Sequence, residues 1–198
     1  ISIERYYKTS NLGVDLLSLS GHKINGPKGS GALYVRRNTH MQSLLRGGPQ
    51  ERGRRAGTEN IPAIVGFGAA AELAKSTFET NCIPLHALRE YLEEELCAIP
   101  GVAIHGKNVK RAPHICNFSL TKKRAESIVL NLDLQGFAVG TGSSCASGAL
   151  HPSHVLEAMS VPFEEAQNSL RISFGLQNTI DEAREFLAAI VNLLKGIG

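Results

Sequence analysis

The sequence has 198 residues, of which 42% are apolar and 20% charged, an ordinary globular composition and not that of a disordered or fibrous chain. Its net charge of +3, from 21 Lys and Arg against 18 Asp and Glu, is too balanced to mark a nucleic-acid binder, and RNP-type, zinc-finger and basic-region motifs are missing. No apolar run approaches the roughly 20 residues a membrane-spanning helix needs, and the opening lacks the pattern of a signal peptide. A fold of this length buries roughly 70% of the surface of its unfolded chain, which leaves room for one or two domains.

In chain order, Val14 to Ser20 and Gly31 to Arg37 read as short apolar strands bounded by glycine and proline. Gly26-Pro27, Gly29 and Gly31 supply turn chemistry between them. From Arg46 to Asn60 apolar content collapses and arginines accumulate at 46, 52, 54 and 55, which predicts a long polar loop, and loops of that length are usually functional or disordered. Pro62 opens a helix rich in small residues, and a second helix is expected from Pro84, with Leu85, Leu88, Leu92 and Leu96 on one face and Pro100-Gly101 ending it. A domain boundary is expected between Ser76 and Cys82, giving domains 1–78 and 79–198. Further strands are predicted at Val102 to His105, His114 to Leu120, Gly136 to Val139 and Ser169 to Gly175, with a helix over Ala125 to Leu134. The last helix carries a capping box, Thr179 with Glu182, and a stripe of Ile180, Ala183, Leu187, Ile190 and Leu194. The alternation makes the class α/β or α+β.

Four cysteines stand at 82, 97, 116 and 145, none in a CxxC pair. Their density is low for a disulfide scaffold, so a reducing, cytoplasmic setting is expected. Cys82, Cys97 and Cys116 fall in helix or strand patterns and read as small buried hydrophobes. Cys145 lies in a polar, glycine-rich loop, "GTGSSCASGALHPSHVL", and reads as a mobile nucleophile instead. His151 and His154 are near it, but the spacing matches no closed tetrahedral site, so no dedicated metal site is expected.

The stretch "SLSGHKINGPKGSGALYVRR" sets Lys23 where a strand ends. A phosphate loop of the Walker type fails, because Gly26 is followed by Pro27, and Gly140 to Cys145 lacks the last glycine of a dinucleotide fingerprint. Two readings of Lys23 stay open on the residues alone. It is either a solvated turn lysine, or an amine that burial keeps neutral for condensation with an aldehyde cofactor such as pyridoxal phosphate. Ser20 and His22 on the same turn, and Thr58 in the arginine-rich loop, have the chemistry to meet a phosphate.

Four segments, "SGHKINGPKGSGALYVRR", "ERGRRAGTENIPAIVGFG", "SSCASGALHPSHVL" and "SLRISFG", together and in this order resemble the cysteine desulfurases of the NifS/IscS type, over essentially the whole chain. The resemblance implies the type I fold of pyridoxal-phosphate-dependent transferases, an α/β class. Residues 1–78 would be the remainder of the large domain, and 79–198 a small α+β carboxy-terminal domain. Lys23 would tether pyridoxal phosphate and serve as base at the substrate Cα, while Ser20, Gly21 and His22 fall on cofactor-binding positions. Thr58 matches a threonine that reaches the phosphate from the other subunit of a homodimer. Arg171 matches the arginine that clamps the substrate carboxylate.

Cys145 matches the nucleophile that takes sulfur from L-cysteine as a persulfide, leaving L-alanine. It would pass the sulfur to an Fe–S scaffold or other acceptor protein, and in such a complex could be a transient Fe–S ligand. Family members carry about as much chain again ahead of this segment, including an Asp at the cofactor's ring nitrogen. The chain, which opens at Ile1 without a methionine, is accordingly expected to be the carboxy-terminal part of a longer or split enzyme, missing its amino-terminal half and weak or inactive alone. Two other readings compete: a selenocysteine lyase or other fold-type-I enzyme, and a non-catalytic docking module.

Overall fold

The computed structural model describes residues 12–121, 124–141 and 152–196. They fall into two compact units that divide between Phe78 and Glu79.

The first unit is built on one antiparallel ribbon. Strands β1 (Leu16–Ser20) and β2 (Gly31–Val35) pair from Leu16 opposite Val35 to Ser20 opposite Gly31. The expected strands ran two residues further at the open end, where the ladder gives way to one Arg36 N–H to Asp15 carbonyl bond of 2.8 Å and an Arg36–Asp15 ion pair of 3.2 Å. A four-residue 3₁₀ turn, Gly21–Ile24, follows β1 directly. It closes through Asn25 in the left-handed conformation at φ 60°, a conformation asparagine tolerates because its short polar side chain can bond locally. Gly31 is there for space: a Cβ on it would stand 2.5 Å from the Leu19 carbonyl oxygen.

The arginine-rich segment holds one helical turn, α1 (Gln50–Gly53), in which Glu51 and Arg52 take left-handed φ values of 48° and 58°. Helix α2 (Ile61–Ser76) starts on Asn60, whose Oδ1 accepts the Ala63 N–H at 3.3 Å. It ends where the Thr77 N–H and hydroxyl both donate to the Leu73 carbonyl, at 3.0 and 2.9 Å. Among the described residues of this unit only Gly21 is buried.

Helix α3 (Phe78–Cys97) begins six residues before the expected start and runs through Pro84. The proline forfeits a bond to the Thr80 carbonyl, and Thr80 is exposed, so water can serve that oxygen. Only Thr77 therefore separates α2 from α3 where a longer break was expected. The predicted leucine face is the one that is buried, at Leu88, Leu92 and Leu96. Cys97 lies one position off it and is exposed, and Cys82 is half-buried, so of these three cysteines only Cys116 is the buried hydrophobe the pattern suggested. Burial first, and the Glu93 carboxylate second, push the Cys116 thiol far above its ordinary range.

Beyond α3 lies an antiparallel sheet in the order β3-β4-β6-β5, made of β3 (Val102–Ile104), β4 (Ile115–Leu120), β5 (Gly140–Thr141) and β6 (Ser169–Ser173). Cys116, Phe118 and Leu120 of β4 and Leu170 and Ile172 of β6 turn to one face. There they meet α3, α4 (Ala125–Leu134) and α7 (Ile180–Gly196) in a single core. Fully burying a side chain such as Phe118 is worth about 1.5–3 kcal/mol. Two short helices, α5 (His154–Ala158) and α6 (Phe163–Gln167), precede β6.

The strand expected at Gly136 to Val139 is absent from those residues, and β5 starts at Gly140. Gly136, at φ 88°, instead ends α4: its N–H donates to Asp133 and that of Phe137 to Leu132, both at 2.9 Å, the bonding of a Schellman motif. Phe137 is thereby turned edge-on to Phe186 of α7, with ring centroids 5.6 Å apart.

Replacing Gly31 by Ala should force β1 and β2 apart, because the atom its Cβ meets is backbone and cannot swing aside. The expected readout is faster amide exchange at Gly21, whose N–H donates to Ser30 across the ribbon at 2.8 Å; unchanged exchange would contradict this packing. At the far end of the chain, Glu182 accepts the Thr179 N–H at 2.8 Å, and this bond, then Asn178, hold its carboxyl below the usual range. A depressed folded-state value makes the stabilisation present above about pH 4.3, the ordinary glutamate value, and lost as acid protonates the folded form. The gap in urea midpoint between the parent protein and Glu182→Gln should therefore be open at pH 7 and close in acid.

Candidate functional site

Lys23 owes its place to the ribbon. β1 delivers the chain to Ser20, Gly21 is pinned to Ser30, and the 3₁₀ turn carries His22 and Lys23 immediately beyond. A side chain on Gly21 would put its Cβ 2.3 Å from Ser30 Oγ and 3.2 Å from the Phe67 ring, so the residue before His22 has to be this small. The close approach of α2 depends on the same economy at Gly66, where a Cβ would lie 2.6 Å from Pro27 Cγ.

Between turn and helix lies a cavity of about 220 Å³ lined by Ser18, Leu19, Ser20, Lys23, Ile24, Phe67 and Ala71. Lys23 and two serines thus line one cavity together with an aromatic residue. Of the residues singled out in the sequence, this cavity brings Ser20 and Lys23 together. His22 and Lys23 are both exposed, and β1 alternates between exposed and half-buried positions. The burial expected to strip Lys23 of water is therefore not supplied by the described residues of this unit. Phe67 and Ala71 also line the cavity, and their only signal in the sequence is the small-residue run "GFGAAAELA", legible as close packing but not as a cavity wall.

Thr58 is exposed, in the segment between α1 and α2. The Gly57 N–H next to it donates to Gln50 Oε1 at 3.1 Å, folding the segment back on α1.

Arg171 belongs to the second unit. It sits mid-strand in β6, directly opposite Asn117 of β4 on one side and Gly140 of β5 on the other. Since Leu170 and Ile172 point into the core, strand alternation sends Arg171 to the opposite face, where it is exposed. That face is covered at one end, where Ser119 and Ser169 are buried and the Ser169 hydroxyl donates to the Ala166 carbonyl of α6 at 2.8 Å. Burial lowers the pKa of His105, just past β3, against a smaller opposing effect of Glu165 on α6. Cys145 and His151 lie outside the described residues. His154 opens α5, and among the described residues no three His, Cys, Asp or Glu side chains stand where they could hold a metal ion. No described helix is long and apolar enough to cross a membrane.

Residues 3–186 match the family model described as aminotransferase class-V. A cysteine desulfurase of Rhodobacter capsulatus is 44% identical over 181 residues, which cover 91% of this chain and 47% of that protein. A cysteine desulfurase IscS of Dictyoglomus turgidum is 44% identical over 93% of the chain and 47% of its own length. Among solved structures, a NifS-like protein from Rickettsia africae superposes with a TM-score of 0.84 at 35% identity, over 94% of this chain and 49% of that one. A second NifS-like protein gives 0.85 at 33% identity, over 96% and 49%. The chain spans about half the length of the curated relatives it matches. With the match running through both units and its solved neighbours sharing the type I transferase architecture, the chain belongs to the class-V aminotransferase family.

Proposed function

We propose that the chain is part of a pyridoxal-phosphate-dependent cysteine desulfurase, which takes the sulfur of L-cysteine as a persulfide and releases L-alanine. The observation that carries this reading is Lys23 in its cavity beside Ser20, in a chain of which relatives named cysteine desulfurase cover more than nine-tenths. The donor set suits the cofactor: a primary amine for its aldehyde, with the Ser20 hydroxyl and the His22 imidazole on the same turn for its phosphate. When bound, pyridoxal phosphate supplies an aldehyde and an electron-withdrawing ring that stabilises negative charge at the substrate Cα.

Lys23 is the one amine among the residues lining the cavity, and therefore the group to move a proton at that Cα. Arg171 presents a planar fork of donors to the substrate carboxylate. Sγ of Cys145 bonds to the substrate sulfur as the Cβ–S bond breaks, and the electron pair goes to the carbon skeleton that leaves as L-alanine. The glycine- and serine-rich sequence around Cys145 suits the journey its sulfur must then make to an acceptor such as an Fe–S scaffold.

The first unit also supports a partner in the form of more chain. Its apolar side chains lie open, Ile61 at 58%, Val65 at 64% and Leu73 at 64% exposure, and such surface is normally covered. We assign that cover to the half of the relatives' length which this chain does not span, and we assign to a second subunit the surface around exposed Thr58. The chain alone would then be a weak catalyst.

In the complete cofactor-loaded enzyme, borohydride should fix the cofactor to the peptide containing Lys23, and Lys23→Ala should abolish both this adduct and the visible band of the bound cofactor. Arg171→Ala should raise the KM for L-cysteine by at least about tenfold, the loss of a hydrogen-bonded charge pair. Recovery of an unmodified Lys23 peptide from the parent enzyme would overturn the assignment.

A further inference from the structure

The segment that carries Thr58 is fastened on both sides of that residue. On one side, side chains take both polar groups of Gly57: Gln50 Oε1 accepts its N–H at 3.1 Å, and Arg55 Nη1 donates to its carbonyl at 3.4 Å. On the other side Asn60 caps α2 by accepting the Ala63 N–H at 3.3 Å. Gly57 lies at φ 108°, a conformation that residues with a Cβ rarely adopt. Thr58 is exposed between these two fixed points, so they decide its direction and burial does not.

Gln50 has the longest reach in this arrangement. It opens α1, seven residues before Gly57, and is half-buried, while Glu51, Arg52, Gly53 and Arg54 after it are exposed. A side chain on Gly48 would run into its carboxamide, so the chain just ahead of α1 leaves room for it. The backbone that follows Gln50 is an unfavourable one. Glu51, Arg52 and Gly53 take left-handed φ values of 48°, 58° and 72° in succession, which is costly for the first two and persists only where surrounding contacts determine it. Two bonds close the turn, from the Gly53 N–H to the Pro49 carbonyl at 3.0 Å and from the Arg54 N–H to the Glu51 carbonyl at 3.2 Å. The Gln50–Gly57 bond then brings the chain back to it, one residue before Thr58.

We propose that Gln50 is a positioning residue for the cofactor's phosphate: by holding the Gly57 N–H, its Oε1 presents the Thr58 hydroxyl to the phosphate in the second subunit of a homodimer. This rests on the reading of Thr58 as the threonine that reaches that phosphate. Gln50 acts through Thr58 and touches neither cofactor nor substrate. Its contribution is pre-organisation, since a loop already held in its bound shape loses less freedom when the phosphate arrives.

The test uses the complete enzyme, freed of cofactor and titrated with pyridoxal phosphate or with pyridoxal, which has the same aldehyde and ring without the phosphate. Gln50→Met removes the acceptor and keeps the length of the side chain; Gln50→Glu keeps an acceptor oxygen at the same reach. Gln50→Met should weaken pyridoxal phosphate binding by about three- to tenfold, the worth of one hydrogen bond. It should leave pyridoxal binding unchanged and speed amide exchange at Gly57. Gln50→Glu should bind both ligands as the parent enzyme does. In a Thr58→Val background, Gln50→Met should cost nothing further.

Equal losses for the two ligands, or loss of the dimer, would make Gln50 a structural residue and overturn the proposal. So would a Gln50→Glu variant as weak as Gln50→Met, because the acceptor would then not be what counts. Unchanged pyridoxal phosphate binding in Gln50→Met, with Thr58→Val still impaired, would also overturn it and leave the reading of Thr58 standing. Equal treatment of the two ligands by Thr58→Val would instead remove that reading itself.

Discussion

The pairing of β4 with β6 is the constraint on which the second unit turns. Side chains alternate along a strand with a period of two, so a slip of one residue would exchange the faces of the whole strand. With Phe118 opposite Leu170 and Cys116 opposite Ile172, these four residues and Leu120 enter the core, while half-buried Ile115 is left on the other face. The same register obliges Asn117 and Arg171 to share the other face. The cation needs no special device to bring it out of the core, because the hydrophobic burial that holds the sheet together also ejects it. It stays on a rigid strand rather than a loop, as suits a group proposed to meet a planar carboxylate at a fixed angle.

A different economy governs the first unit. Its apolar residues build no buried core among the described residues, and what is tight there is the backbone of three glycines against their neighbours. Gly21 and Gly31 let the ribbon close on itself, and Gly66 lets α2 reach the turn. Tightness of this kind fixes the direction in which Lys23 leaves the chain, yet gives little protection from water. Position and desolvation are thus separate contributions, and the unit supplies the first.

Much of this was legible in the sequence wherever local and tertiary forces agree. Helix α4 has the predicted bounds, Ala125–Leu134, because its apolar spacing and the Gly136 stop speak for the same element. The Thr179–Glu182 box is equally local, with Glu182 N–H donating to Thr179 Oγ1 at 3.2 Å. Errors arise where one signal has two physical meanings. Pro84 suits a first helical turn, but it is also tolerated deeper in a helix whose orphaned carbonyl faces water. The run after Gly136 looks apolar enough for a strand, whereas Phe137 is held back to the end of α4 by the glycine's bonding. Helices α5 and α6, five residues each, are too short for periodicity to register, and their packing comes from contacts distant in sequence. The role expected of Lys23 comes only through resemblance, and the acceptor of Asn117 left open among the described residues was not legible at all, since an unfilled acceptor is a property of three-dimensional neighbours.

The buried ion pair explains how the row containing Asn117 is held steady. Glu93 on α3 is 3% exposed and takes both terminal nitrogens of Arg111, while Arg89 Nε stands 3.8 Å away, close enough for attraction and too far for a hydrogen bond. Burial opposes the charge on Arg111, but the bond to Glu93 outweighs it and raises the pKa of the guanidinium. Such a pair adds little net stability compared with apolar packing, because desolvation consumes most of the attraction. Its value is geometric. Arg111 and Ala112 lie in the segment joining β3 to β4, and both are tied to α3, the first through Glu93 and the second through Arg89 at 2.6 Å. With that segment anchored just before Ile115, β4 enters the sheet at a fixed point and Asn117 meets β6 at Arg171 rather than one residue to either side. A buried charge, costly in itself, thereby serves the register on which the exposed cation depends.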